Sequence, residues 1–188
     1  MLKQLFQILY KMISRPAKGW SERAEEKPSG NEVFFKTYLY PLIGIIALLT
    51  FIGGFFTEKE FNLEAALRYT INITVTLFLG FYLASFLLSE WISRYLGLSK
   101  QPERCRHFVG YSSSLIYVLY LIKALLPHLF FLDLFLLYTV YIIWEGAGIY
   151  LKIDEKKKLS FTIGASLIIL LSPYLIRLIL FLTMPGMR

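Results

Sequence analysis

Five long runs of apolar residues alternate with short polar segments, and each run has the length of a helix that crosses a lipid bilayer. The hydrocarbon core of a bilayer is ~30 Å thick, and a helix rising ~1.5 Å per residue needs about twenty apolar residues to cross it. The runs are residues 37–56, 69–89, 108–126, 130–151 and 159–182. The sequence therefore predicts an all-α polytopic membrane bundle with five transmembrane helices.

The third and fourth runs lie within one stretch, residues 108–151, that is almost free of charge. Its only charged residues are Lys123, Asp133 and Glu145. A single straight helix of this length would be about twice as long as the bilayer core is thick. Pro127 breaks the helical hydrogen-bond ladder near the midpoint, and His128 interrupts the apolar run. We therefore expect two neighbouring spans joined by a tight turn at residues 126–129.

Residues 1–36 are interpreted as a cytoplasmic segment ahead of a membrane domain over 37–188. Apolar side chains recur there at helical spacing: Leu2, Leu5, Phe6, Leu9 and Ile13. This spacing predicts a short amphipathic helix that lies in the membrane interface and ends at Arg15-Pro16. The polar segment that follows is interpreted as a linker, with Trp20 as an anchor at the interface.

Composition and charge agree with a membrane protein. Hydrophobic residues make up 56% of the 188 positions, compared with about 45–50% in soluble domains. The net charge of +7 does not require a nucleic-acid partner, because the cations lie in loops. Residues 1–36 and the loops after the second and fourth spans hold seven, four and four of the twenty Lys and Arg residues. This distribution predicts a cytoplasmic N-terminus and a C-terminus outside.

Three charged residues are predicted to lie near the outer ends of the last three spans: Lys123, Asp133 and Arg177. Lys123 and Asp133 flank the turn, each about 6 Å below it. A buried charge is costly unless it is paired or reaches the headgroups, so we expect a cluster. One interpretation is a structural ion pair with an arginine that reaches outward, and the other is a site for a solute or ion.

Two carboxylates lie near the opposite ends of the spans. Glu90 ends the second span, and Glu145 lies about 9 Å inside the end of the fourth. They either pair with nearby cations such as Arg94 or Lys152, or belong to a pathway for protons or cations.

Catalytic, metal-binding and cofactor-binding motifs are poorly represented. Cys105 is the only cysteine, and two residues away His107 would not share a helix face with it. His128 has no His, Asp or Glu partner at metal-ligand spacing. We therefore expect no enzymatic activity, no metal and no cofactor.

Three short motifs carry a family resemblance: RPAKGW before the first span, YLYPL at its entrance and GYSSSL at the start of the third span. Their motif positions are Pro16, Trp20, Tyr40, Pro41, Leu42, Gly110 and Tyr111. Together with the five-span layout, they resemble the Yip family of Ypt/Rab-interacting membrane proteins, particularly its bacterial branch. The Asp and Gly of the family's entrance motif are absent, and Leu115 stands where a proline is expected.

The resemblance implies an integral protein of the bacterial inner membrane with no catalytic residue. In eukaryotic relatives it implies binding of prenylated Rab-type GTPases, a machinery that bacterial relatives lack. The leading hypothesis is a protein whose basic cytoplasmic face recruits or organises protein partners or membrane lipids. The alternative is a small transporter or channel component that uses the intramembrane charges. Small residues at four-residue spacing, such as Gly80 and Ala84, favour close helix packing inside the bundle. The alternative is that they form the contact face of a homo-oligomer.

Overall fold

The computed structural model describes residues 2–25, 30–57, 62–96, 101–126 and 129–183, and these ranges are helical with no β-strand. The α-helices are α1 (Leu2–Ser14), α2 (Pro16–Glu25), α3 (Asn31–Phe34), α4 (Tyr40–Thr57), α5 (Leu63–Leu96), α6 (Pro102–Ser112), α7 (Ser114–Leu125), α8 (Tyr138–Ile149) and α9 (Glu155–Thr183). A π-helical turn, Phe35–Leu39, joins α3 to α4, and a 3₁₀ segment, Phe130–Leu137, leads into α8. The predicted all-α fold is confirmed.

Four helical stretches of the described chain are long and apolar enough to cross a membrane. They are Asn31–Gly54, Leu63–Arg94, Phe130–Ile149 and Glu155–Thr183. Helices α6 and α7 make a fifth if this pair, which is bent by 43°, forms one span. The prediction of a multi-pass membrane bundle is confirmed, and the turn residues Pro127 and His128 lie outside the described residues.

Several helices continue beyond the predicted spans into polar sequence. The first begins at Asn31 instead of residue 37, and α5 covers Leu63–Leu96 instead of 69–89. Ion pairs one helical turn apart accompany these extensions, with Lys36 Nζ 2.6 Å from Glu32 Oε1. Such pairs stabilise helices in water, so a helix need not end where its apolar residues end.

Small residues bring the helices of the bundle close together. Helix α9 passes through Pro173 without a break. Opposite it, a Cβ on Gly80 would lie 3.1 Å from Pro173 Cα, and a Cβ on Gly164 would lie 2.3 Å from Cη2 of Trp91. The glycines Gly80 and Gly164 are therefore used for contacts inside the bundle.

The third span is broken at Ser113, between α6 and α7. Ser114 Oγ donates a 2.6 Å hydrogen bond to the carbonyl of Tyr111. Serine side chains that bond nearby backbone carbonyls compete with the helical ladder and bend helices. The hydrogen bond of Ser114 therefore explains the break.

The N-terminal segment differs most from its prediction. Residues Pro16–Glu25 form a helix, so their interpretation as a linker was wrong. The predicted amphipathic helix α1 ends at Ser14, as expected. The two helices are joined by an ion pair, with Lys11 Nζ 2.7 Å from Glu22 Oε2. We call α1 and α2 together, residues 2–25, the N-terminal hairpin. Its apolar side chains Leu5, Leu9 and Met12 are buried, so α1 packs partly on protein.

Candidate functional site

Trp20 fixes the N-terminal hairpin to the bundle. Its side chain is fully buried, and the indole N–H donates a 2.9 Å hydrogen bond to the carbonyl of Ile142 in α8. A Cβ on Gly146 would lie 2.5 Å from Cε2 of the indole. Because Gly146 has no side chain, the indole lies directly against α8. The expectation that Trp20 anchors at the membrane interface was wrong.

Aromatic rings surround the indole. The Phe108 ring stacks on it with centroids 5.2 Å apart, and the Tyr150 ring lies at the same distance. The ring of Tyr111 meets it edge to face at 6.2 Å. Such pairs contribute about 0.5–1.5 kcal/mol each beyond the area that they bury. The motif residues Trp20 and Tyr111, 91 positions apart in the sequence, are thereby in direct contact.

Hydrogen bonds connect the first and third spans below this cluster. The hydroxyls of Tyr38 and Ser114 lie 2.7 Å apart. Because the Ser114 hydroxyl hydrogen is used on the Tyr111 carbonyl, the Tyr38 hydroxyl must be the donor to Ser114 Oγ. Gly110 adds close contact, since a Cβ there would lie 2.4 Å from the ring of Phe34. The GYSSS motif therefore packs against the first span.

The entrance motif begins directly after the π-helical turn. Pro41 cannot donate a backbone hydrogen bond, and its ring would clash with a carbonyl four residues earlier in a regular helix. The preceding turn is widened, with the amide of Tyr40 bonded to the carbonyl of Phe35. Leu42 is fully buried, whereas Tyr40 is half exposed and stacks on the Phe35 ring at 5.4 Å. This motif shapes the helix beside the aromatic cluster.

Polar contacts hold the two helices of the hairpin together. Lys11 Nζ donates to both carboxylate oxygens of Glu22, at 2.9 and 2.7 Å. This charged hydrogen bond lowers the pKa of Glu22 below its usual value. The hydroxyl of Tyr138 donates a 2.9 Å hydrogen bond to the carbonyl of Ile13. The Lys11–Glu22 pair thus joins α1 to α2, and the Tyr138 bond joins the hairpin to α8.

A polar cavity of about 340 Å³ lies between the hairpin and the start of the first span. Its lining includes Gln7, Arg23, Thr37 and Tyr111. The guanidinium carbon of Arg23 lies 5.8 Å from the centroid of the Tyr111 ring. The hairpin thus carries a cation beside the aromatic cluster.

Lys123 and Asp133 form an ion pair, with Nζ and Oδ1 2.5 Å apart. Both residues line a cavity of about 270 Å³, and Arg177 lines it too. The structure therefore brings together these three charged residues, which the sequence predicted to lie at one level.

The two carboxylates predicted at the opposite side do not line that cavity. Glu90 lies 3.4 Å from Nε of Arg94 and lines a different cavity together with Arg106. Glu145 is half buried and forms no salt bridge within the described ranges. The five intramembrane charged residues therefore do not form one cluster. Three of them share a cavity, and the two glutamates lie elsewhere.

The residues that contact Trp20 were not predicted from the sequence; they are Phe108, Ile142, Gly146 and Tyr150. The spacing of Pro16 and Trp20 was visible in the sequence, but a polar segment does not indicate which distant helix its tryptophan contacts.

Among the described residues, no group of three His, Cys, Asp or Glu side chains is arranged to hold a metal ion.

A family model described as the Yip1 domain matches residues 10–178 of the chain. The match covers most of the hairpin, the motif positions and the helical stretches that can cross a membrane, the last of them as far as residue 178. No curated protein and no solved structure matches the chain.

Proposed function

Because the chain belongs to the Yip1 domain family, we propose that this multi-pass membrane protein is non-enzymatic and organises protein or lipid partners through its N-terminal hairpin. The observation that carries the proposal is the docking of that hairpin through Trp20. A docked helix pair presents a fixed surface, and a partner that binds it loses less conformational freedom than one that must order a free arm.

The charge of the hairpin favours acidic partners. Five basic residues lie within residues 2–25, against two acidic ones, Glu22 and Glu25. Three of the basic residues, Lys3, Arg15 and Lys18, are exposed. An exposed basic surface attracts anionic lipid headgroups or acidic protein surfaces.

We place the hairpin on the cytoplasmic side of a bacterial inner membrane, with the C-terminus outside. The support is the excess of Lys and Arg in the N-terminal segment and in two loops. Cys105 is a poor probe of this orientation because it is only 3% exposed. In a Cys105→Ser background, we expect a cysteine at exposed Lys18 to react with a membrane-impermeant maleimide only after the cells are permeabilised. Labelling of intact cells would contradict the orientation.

Photo-cross-linking in intact cells tests partner binding. A photoreactive amino acid at Ala17 or Lys18, both exposed on α2, is expected to give a discrete protein adduct or a lipid adduct. The same probe at exposed Leu182, near the end of α9, is the matched control. An adduct with a second copy of the chain would establish a homo-oligomer. Identical adducts at all three positions would overturn the role of the hairpin.

The alternative function is transport, and the cavity lined by Lys123, Asp133 and Arg177 is the observation that favours it. A transporter or channel component would lose flux in proteoliposomes when Asp133 is replaced by Asn. If proteoliposomes that contain the parent protein show no flux, transport is excluded. Because Glu90 and Glu145 do not line this cavity, the alternative assigns the transported solute to Lys123, Asp133 and Arg177 only.

A further inference from the structure

The cavity around Arg177 has an apolar interior and a polar rim. Its lining includes Ile73, Ile116 and Leu119, which are all buried. Tyr174 and Arg177 also line it and are exposed, so they belong to its rim. The volume of about 270 Å³ is many times the ~15 Å³ that a cavity needs to hold one water molecule. This space admits a small polar group together with part of an apolar chain.

Several donors in this lining have no acceptor among the residues that the structure describes. Within the ranges that the structure describes, no hydrogen bond or ion pair involves the Arg177 guanidinium or the hydroxyls of Tyr69, Tyr120 and Tyr174. A guanidinium within a membrane span is costly without an anionic partner or access to the headgroups. The lining thus offers one cation and three phenol hydroxyls to an acceptor from outside the chain.

The described residues also give the cavity a net positive charge. The charged residues in this described lining are Lys123, Asp133 and Arg177. The ion pair of Lys123 with Asp133 is neutral as a unit, which leaves the charge of Arg177. The field in the cavity therefore favours an anion over a cation.

We propose that this cavity binds the phosphate group of an anionic membrane lipid, with Arg177 as its principal ligand. Arginine presents a planar set of donors that matches the oxygens of a phosphate, and tyrosine hydroxyls can donate to the same group. The apolar interior would take the beginning of an acyl chain. This site lies apart from the N-terminal hairpin, so lipid binding here is independent of partner binding there.

Native mass spectrometry of the purified full-length protein in detergent tests the proposal. The probes are phosphatidylglycerol, phosphatidylcholine and inorganic phosphate. We expect phosphatidylglycerol to be retained at least fivefold more strongly than phosphatidylcholine. Equal retention of the two lipids would overturn the proposal. Displacement of phosphatidylglycerol by millimolar inorganic phosphate would assign the site to free phosphate instead of a lipid.

Arg177→Gln is expected to lower the retention of phosphatidylglycerol about tenfold, the effect of losing one charged hydrogen bond. Arg68→Gln is the matched control, because Arg68 lies next to cavity-lining Tyr69 but is paired with Glu64 at 2.5 Å. This control should retain lipid as the parent does. If both variants lose retention of phosphatidylglycerol equally, the effect comes from general surface charge and the proposed site is wrong.

The substitution Asp133→Asn tests the proposal by the direction in which lipid affinity changes. Removing this carboxylate releases Lys123 from its ion pair and adds a second free cation to the cavity. An anion site should therefore bind phosphatidylglycerol more tightly in this variant. Weaker binding would contradict the proposal, because a loss is expected only if the carboxylate itself contacts the ligand.

Discussion

Trp20 connects parts of the chain that are far apart in sequence. Its ring packs on Phe108 of α6 and on Tyr150, and its indole N–H bonds to Ile142 of α8. Deleting a buried aromatic side chain removes its transfer free energy and leaves a cavity. One residue therefore supplies much of the free energy that keeps the N-terminal hairpin docked.

Trp20→Ala should destabilise the docked hairpin by about 3–5 kcal/mol. If cleavage follows a rapid opening equilibrium, tryptic cleavage after Lys18 should become about a hundredfold faster or more. Trp20→Phe is the matched control: it keeps a ring but loses the hydrogen bond to Ile142, at a cost of about 1–3 kcal/mol. Cleavage of the alanine variant at the parent's rate would show that the indole does not hold the hairpin.

The Glu22 carboxylate makes the hairpin sensitive to acid. Its pKa is lowered in the folded protein by the hydrogen bond from Lys11. The pair therefore adds stability above the ordinary pKa of glutamate, about 4.3, and this contribution is lost as the pH falls through the lowered pKa. Hydrogen exchange of the α2 amides, corrected for intrinsic rates, should accelerate below pH ~4. Lys11→Met should remove this step, and a step that persists in the variant would assign it to another group.

The helices themselves follow from local sequence, whereas their bends depend on single side chains. Apolar runs of about twenty residues were sufficient to predict four of the spans, and the fifth run corresponds to the bent pair α6 and α7. The break at Ser113 was not predicted, because hydropathy does not register a hydroxyl that bonds to a carbonyl. In the same way, the Glu32–Lys36 pair continues a helix beyond the point where the apolar run suggested a boundary.

Ser114→Ala should lower the free energy of unfolding by about 1–3 kcal/mol. The substitution removes the acceptor of the Tyr38 hydroxyl, and the remaining contact of that hydroxyl, to the Gly110 carbonyl, is 3.4 Å long. Thermal denaturation in detergent measures the loss. Ser21→Ala removes a hydroxyl bonded to the Ala17 carbonyl on the exposed side of α2, and it should have little effect. An equal loss in both variants would contradict the role of Ser114.

The complete molecule is a bundle of membrane helices with a helix pair fastened to it. The sequence predicted the amphipathic character of α1 because that property is local. It did not predict that the apolar face, including Leu5 and Leu9, packs on the bundle, because lipid and a protein groove favour the same side chains. The charge cluster was more predictable, since Lys123 and Asp133 are placed at one level by their distance from a turn.

The N-terminal hairpin is a fixed part of the bundle. Pulsed electron spin resonance in lipid nanodiscs measures this directly, with spin labels on cysteines at exposed Lys18 and Lys157 in a Cys105→Ser background. We predict one narrow distribution of distances, which broadens in Trp20→Ala. A broad distribution in the protein with Trp20 intact would show that the hairpin is a free arm and would contradict the account.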